Sequence, residues 1–404
     1  MKIAFIDNLQ VGGGLSRFSL KLCDNLIAGF SDVKIDYYIH EANLLQIPEI
    51  KTLGERVKVI VLKTTKNKSK AGHIVDRAFR KLFRRKLSSD ESIKEIEQRI
   101  GKQYDLAYFP CAHMMKMPEL SIPSAATIHD FNWRYFFGAE IFGNKFAKMM
   151  DSEIKKWLTT SFCISSSNDV VNEAKLMYPG LLRYPEVIPI AQVVVKEEIS
   201  SERADEILAS LDINYPYIIF PGHFFPHKNH LNLFTAFYLL KKDPAFKAYK
   251  LILAGVGTDK VERAKATYTG IRKILNAEEE YDIMGMGYQP NEVLDTLILK
   301  ADLLVSPSIY EAICTPAMDA WSFATPTAIS DIPPFREHES NWGIKTAFFD
   351  PMNPHDIAGV IAKCLTETER IKAEARVSQE KLSLYSWDKI VTEYMNVFKK
   401  AIAS

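Results

Sequence analysis

Short apolar runs, each closed by a loop and most followed by a helical pattern, recur along the whole chain. The first is "KIAFID", a continuous apolar run of the kind that forms a buried strand. A loop, "NLQVGGGLS", follows, and then "RFSLKLCDNLIAG", whose apolar positions recur at helical spacing. Strand, glycine-rich loop and helix in that order predict a βα unit able to face a phosphate. "KIDYYIH", "VKVIVL", "YDLAYFP", "SAATIHD", "SFCISSS" and "EVIPIA" are further strand candidates. Helical patterns separate most of them, which predicts a parallel sheet with helices on both faces.

The alternation lapses over 191–215, where a short strand, a linker and a lead-in helix are expected. A second run then begins with "YIIFPG", "KLILAG", "YDIMGM", "DLLVSPS", "PTAISD" and "TAFFD". A domain boundary is therefore placed near 195–215. The terminal "SWDKIVTEYMNVFKKAIA" reads as one amphipathic helix. Two α/β domains of similar size imply a cleft between them. In open parallel sheets ligands bind beyond the carboxyl ends of the strands, so the loops there are the place to look for chemistry.

Composition narrows the class. The chain has 404 residues, 47% hydrophobic and 25% charged, as expected of a soluble globular protein of two or three domains. A net charge of +1 gives no global drive toward nucleic acid. The five cysteines (Cys23, Cys111, Cys163, Cys314, Cys364) are scattered and lack CxxC spacing, which argues against a disulfide framework or a zinc site and fits a reducing cytosol. No signal peptide and no membrane span are expected. One stretch is locally biased: residues 63–86 hold ten Lys or Arg and a single acid, Asp76. Its "IVDRAFRKLFRRKL" has helical apolar spacing, so it is either a solvated helix face or a surface for anionic lipid.

Two loops carry candidate chemistry. In "YIIFPGHFFPHKNHLNLFTAFYLL" the strand ends at Pro221-Gly222 and a helix is predicted from near Asn229. Lys228 stands at that helix start, where free N–H groups and the dipole favour an anion, and the pair makes a pyrophosphate site. His223, His227 and His230 crowd the same turn; their spacing would allow zinc, but no acidic or cysteine partner is near. In "SIYEAICTPAMDAW" a strand ends before Glu311, and Thr315 and Pro316 suit the N-cap and first position of a helix carrying Asp319. Backbone N–H groups from about Ile313 to Ala317 would favour an anion. Two carboxylates flanking that anion must face its neutral neighbours, and carboxylates accept well from the hydroxyls of a sugar or a ribose.

"PSIYEAICTPAMDAWSFATPTAIS" resembles the signature of retaining glycosyltransferase family 4, a Glu, seven residues and a second Glu. "FPGHFFPHKNH" is similar to that family's Gly-Arg…Lys-Asn phosphate loop, and "LILAGVG" and "MGMGYQPNEVLDTLILKADLLVSPS" fall in order between the two. "TIHD", "CISSS", "FREHE", "FFDP" and "YSWDKI" extend the resemblance over nearly the whole chain. It implies an α/β GT-B fold, two Rossmann-like domains facing a central cleft. Residues 1–195 would bind the acceptor, 196–384 the nucleotide-sugar donor, and a helix over 385–404 would cross back to the first domain. By position, the resemblance gives Glu311 the donor sugar's hydroxyls, and gives the diphosphate to Lys228, His223 and the backbone of Ile313, Cys314 and Thr315. Asp319 would take the ribose, Gly287 and Tyr288 would lie beside the base, and Gly13 and Gly14 would approach from the first domain. His129 would lie near the reacting sugar as a positioning group.

The activity so implied is transfer of a hexose, with mannose and a GDP carrier favoured. The configuration would be retained, no metal or other cofactor is expected, and the leaving phosphate would take the acceptor's proton. The acceptor would be a growing, lipid-linked glycan such as O-antigen or capsule, and the basic stretch would bring a cytoplasmic enzyme to the inner membrane face. Three positions depart from the family pattern: Asp319 for Glu, His223 for Arg and Ala312 for Gly. A GT-B sugar-nucleotide epimerase, or a nucleotide-sugar-binding module without turnover, is the alternative. A glycosidase reading of Glu311 and Asp319 fits poorly, since one loop and its own helix would not set a carboxylate pair across a scissile bond. A dinucleotide oxidoreductase lacks its spaced G-x-G-x-x-G fingerprint.

Overall fold

The computed structural model describes residues 1–7, 14–44, 50, 53–62, 90–136, 144–190, 199–259 and 282–404. Gly13 and the basic stretch 63–86 lie outside the described residues. The chain divides into two compact units, Met1–Val193 with Ser386–Ser404, and Val194–Tyr385.

The first unit is built on a parallel sheet of β1 (Lys2–Asp7), β2 (Lys34–His40), β3 (Val57–Leu62), β4 (Leu106–Phe109), β5 (Ser124–Thr127), β6 (Phe162–Ser165) and β7 (Glu186–Val187). Their order is β3-β2-β1-β4-β5-β6-β7, with Ile3 in register with Ile35 on one side and Leu106 on the other. The inner strands β1, β2, β4, β5 and β6 are mostly buried and are the near-continuous apolar runs that the sequence showed, while the edge strands β3 and β7 are partly exposed. Helix α1 (Gly14–Gly29) begins three residues earlier than the "RFSLKL" pattern suggested. "EVIPIA" yields only a two-residue strand, because Pro189 cannot donate a further ladder bond.

The terminal helix Trp387–Ala403 is part of this first unit. Ile390, Val391, Tyr394, Met395, Val397, Phe398 and Ala401 are its buried stripe, at helical spacing. Phe398 lies 5.0 Å and Tyr394 6.0 Å from the Tyr108 ring of β4, and Lys400 pairs with Glu186 at 2.8 Å. The buried aromatic contacts hold the helix more firmly than the exposed ion pair can.

The second unit has a parallel sheet of β8 (Tyr217–Pro221), β9 (Lys250–Ala254), β10 (Ile283–Gly285), β11 (Leu303–Ser306), β12 (Thr327–Ser330) and β13 (Ala347–Phe349). The order is β10-β9-β8-β11-β12-β13. One face packs Phe220, Leu233, Phe234, Phe237, Ile357 and Ile361; the other packs Ile219, Ile252, Leu304, Met318, Trp321 and Phe335. The strand order reverses between β8 and β11, and at such a switch point the loops diverge and leave a crevice at the carboxyl ends. Helices α2 (His230–Leu240) and α3 (Thr315–Ser322) begin there. Helix α4 (Pro333–Trp342) follows β12 and packs through Phe335 and Trp342 in the core that also holds Trp321 of α3. Among the described residues no helix is long and apolar enough to cross a membrane.

Candidate functional site

The loop after β8 is folded by two unusual local features. Pro226–Lys228 form a 3-10 turn, and Asn229 then takes a left-handed conformation (φ 57°, ψ 37°) before α2 begins at His230. Asparagine tolerates that region better than other residues with a Cβ. Its Nδ2 donates to the Pro307 carbonyl at 3.0 Å and the Pro351 carbonyl at 2.7 Å, so one side chain ties the β8 loop to the loops after β11 and β13. The Ile309 N–H adds a bond to the His227 carbonyl at 2.9 Å. The loops after β8 and β11 are thus laced together at the switch point, and what they present is Lys228 and Glu311.

Lys228 Nζ and Glu311 Oε1 form a direct ion pair, with the two side chains 15% and 14% exposed. The resemblance had assigned one to phosphate and the other to sugar hydroxyls, from loops 83 residues apart. Here each neutralises the other. Largely withdrawn from water, the pair is a preformed polar site: a cation for an anion and a carboxylate for hydroxyls.

The turn into α3 differs in detail from the sequence expectation. Cys314 is the N-cap residue, Thr315 the first helical residue and Pro316 the second, a shift of one position. The Cys314 N–H is not free for an anion, because it donates to His338 Nε2 at 3.3 Å. The Cys314 amide is therefore corrected from a phosphate contact to an internal tether. Pro316 has no N–H and the Ala317 N–H is turned to the Cys314 thiol, so the Ile313 and Thr315 amides remain, and neither meets an acceptor among the described residues. Ala312 is buried and does not enter the left-handed region, so the loop does not require the family's glycine there. Asp319 is 3% exposed, on a helix whose residues from Ala317 to Ser322 are all buried.

Glycines shape the neighbouring strand ends. Gly255 has φ 146°, and a Cβ there would stand 2.3 Å from the Gly222 carbonyl oxygen. A Cβ on Gly285 would stand 1.9 Å from the Thr258 oxygen. Gly287 has φ 70°; its N–H donates to Thr258 Oγ1 at 2.9 Å and its carbonyl accepts from Gly255 N–H at 2.7 Å. Fully buried Thr258 also bonds the Gly255 carbonyl at 2.9 Å. Thr258 is the residue that the sequence reading missed; its signal is a hydroxyl just after "AGVG", opposite a second glycine pair. Beside this lacing Tyr288 is 55% exposed, an aromatic face at a strand end.

The three histidines of the β8 loop go to ring contacts rather than to one point. His223 stacks on Phe225 (5.8 Å, 18°), Phe225 on His227 (5.9 Å, 20°), and His230 packs 4.6 Å from Phe224 and 4.9 Å from Phe220. Burial, with Lys228 adding to it, pushes His230 down to about 3.

Residues 204–381 match the family model of glycosyl transferases group 1. An uncharacterised glycosyltransferase of Methanocaldococcus jannaschii is 30% identical over 160 residues, which are 38% of this chain and 37% of the relative's length. The described units are similar in fold to Anabaena HepE in complex with UDP and glucose (TM-score 0.71, 14% identity, 99% of this chain and 100% of that one). They are also similar to WaaG, a glycosyltransferase involved in lipopolysaccharide biosynthesis (TM-score 0.66, 12% identity, 98% and 99%). The fold is that of GT-B glycosyltransferases, with two Rossmann-like parallel-sheet units. The family match lies wholly within the second unit and contains Lys228, Thr258, Gly287, Glu311 and Asp319.

The remaining predicted residues belong to the first unit. Gly14 is the first residue of α1, and Gly13 lies outside the described residues. His129 is buried two residues beyond β5, with Nε2 2.8 Å from the Pro110 carbonyl, which makes Nε2 the protonated nitrogen. Phe18 and His113 pack edge-on to its ring at 5.4 and 5.5 Å. Burial, then the neighbouring His113, lowers it to about 3. His129 is thus a neutral, buried donor that ties the loop after β4 to the end of β5.

Proposed function

We propose that the chain is a retaining, metal-independent glycosyltransferase that moves a hexose from a nucleoside-diphosphate sugar to a hydroxyl of a growing glycan. The observation that carries this is the Lys228–Glu311 pair at the switch point of the second unit. On binding, the donor's diphosphate takes Lys228 and the Ile313 and Thr315 amides at the start of α3, whose dipole adds to the field. The donor sugar's hydroxyls replace Lys228 as the partners of Glu311. Asp319 accepts the ribose hydroxyls, and Tyr288 and Gly287 flank the base.

As the glycosidic bond breaks, negative charge grows on the departing diphosphate. Lys228 and the fixed amides oppose it without reorganising, which is where such sites gain most of their rate. The departing phosphate takes the acceptor's proton on the face of attack; His129, buried and lowered to about 3, is too weak a base to compete for it. The first unit binds the acceptor, for which a lipid-linked O-antigen or capsule precursor is the leading class. The stretch 63–86 would bring the chain to an anionic membrane surface. Mannose carried by GDP is the favoured donor; HepE, similar in fold, is described with UDP and glucose, so UDP-glucose is the competing donor.

A thermal-shift screen with GDP, UDP and their hexose conjugates tests the reading, because a ligand at a hundredfold excess over Kd stabilises by about 2.7 kcal/mol. Stabilisation by one nucleotide sugar, followed by transfer with the anomeric configuration retained, is expected. No shift with any of them would remove the donor site. Binding without transfer would make the chain a binding module, and conversion of the sugar nucleotide itself would make it an epimerase.

A further inference from the structure

His338 stands 24 residues from Cys314 and outside both loops of the candidate site, yet it holds one of them. It lies on α4, buried, with Nε2 accepting the Cys314 N–H at 3.3 Å. Its ring is fixed from three sides: stacked on Trp342 (4.7 Å, 10°), near-parallel to Phe335 (6.2 Å, 23°), and edge-on to Trp321 of α3 (5.7 Å, 73°). An imidazole with an accepting Nε2 carries its proton on Nδ1. Burial pushes its pKa down to about 3, so it keeps that neutral, accepting form.

We propose that His338 is a positioning residue for donor binding: by accepting the Cys314 N–H it fixes the turn into α3 and leaves the flanking Ile313 and Thr315 amides for the donor's diphosphate. This rests on the donor-site reading above. Cys314 is buried, so an amide deprived of its acceptor must turn to find another, and its neighbours turn with it. An apolar ring can replace the packing of His338 but not its acceptor. A flexible amide side chain can replace the acceptor but not the stack. Packing and positioning therefore predict opposite orders of damage.

The test is calorimetric titration of wild type, His338→Phe and His338→Gln with GDP or UDP, whichever binds wild type more tightly. Each variant is checked by thermal melting. Affinity should fall about tenfold in His338→Phe, as for one lost hydrogen bond, and recover most of the way in His338→Gln. Equal affinity of His338→Phe and wild type, or tighter binding by His338→Phe than by His338→Gln, would overturn the proposal. Long-range 1H–15N NMR of the unliganded wild type gives a second readout that needs neither variant. His338 should appear as the neutral Nδ1–H tautomer, and the Nε2–H tautomer would remove the hydrogen bond on which everything here depends. If wild type binds neither nucleotide, the donor-site reading fails and this role goes with it, whereas failure of the variant order alone leaves that reading standing.

Discussion

Glu311→Gln separates a carboxylate that faces a donor sugar from one that only neutralises a lysine. The substitution keeps the shape and removes the charge. In the unliganded protein it frees Lys228 from its partner, both side chains being about six-sevenths buried and so little screened by solvent. An approaching diphosphate then meets an unpaired cation and no neighbouring carboxylate. A carboxylate about 6 Å from a phosphate charge, at an effective dielectric of about 20, repels it by roughly 3 kcal/mol. Taking about half of that as realised, the bare nucleoside diphosphate should bind about tenfold more tightly to the variant. A nucleotide sugar gains the same relief but loses its charge-assisted hydroxyl bonds to Glu311. Those are worth about 1.5–3 kcal/mol, against about 0.5–1.5 for the neutral amide. The two effects cancel to within a few fold. Titration calorimetry of wild type and variant with both ligands should therefore show the preference for nucleotide sugar over nucleotide falling by about tenfold, through tighter nucleotide binding. An unchanged or weakened nucleotide affinity would refute the reasoning, since it would mean that Glu311 does not face the diphosphate.

Thr258→Val removes the acceptor of the Gly287 N–H in a buried position; chemical denaturation should show a loss of about 1–3 kcal/mol, and no loss would mean that the glycine lacing does not depend on that hydroxyl. Asp319→Glu adds a methylene to a buried position and should destabilise by about 1–3 kcal/mol; a neutral result would show that α3 leaves room for the longer side chain. His230 and His338 are both held neutral, with pKa lowered to about 3. Their folded values lie below the unfolded value of about 6.5, so their contribution is fully present above pH 6.5 and is lost as pH falls toward 3. With His129, lowered likewise to about 3, the three together should cost about 4 kcal/mol between pH 7.5 and 5.5, and His230→Phe should remove about a third of the histidine part of that slope in denaturant melts; an unchanged slope would show that His230 titrates alike in both states.

Most strands were legible because a buried parallel strand is written as a near-continuous apolar run that needs no knowledge of its partner. The division expected at residues 195–196 falls at 193–194, and the terminal helix begins at Trp387. Both are marked locally, by a lapse of periodicity and by an amphipathic stripe. Lys228 and Glu311 were legible as types of residue on the right loops. Their mutual pairing was not, because it arises only when the strand order sets β8 beside β11, and strand order has no local signature. The same holds for Asn229, whose left-handed backbone depends on carbonyls at Pro307 and Pro351. His338 was hidden more deeply, since a histidine among the charged residues of "PPFREHESNW" looks like solvated surface. The enclosure of His129 was hidden too, because it comes from Phe18 and His113, which are distant in sequence.

The central claim is that Lys228 holds the diphosphate of a nucleotide sugar at the switch point of the second unit. Calorimetric titration of wild type and Lys228→Ala, using the nucleotide chosen by the thermal screen, tests it most directly. A charge-assisted contact of roughly 1.5–3 kcal/mol predicts at least about a tenfold loss of affinity in a variant that still melts cooperatively. Equal affinities in the two proteins would contradict the account.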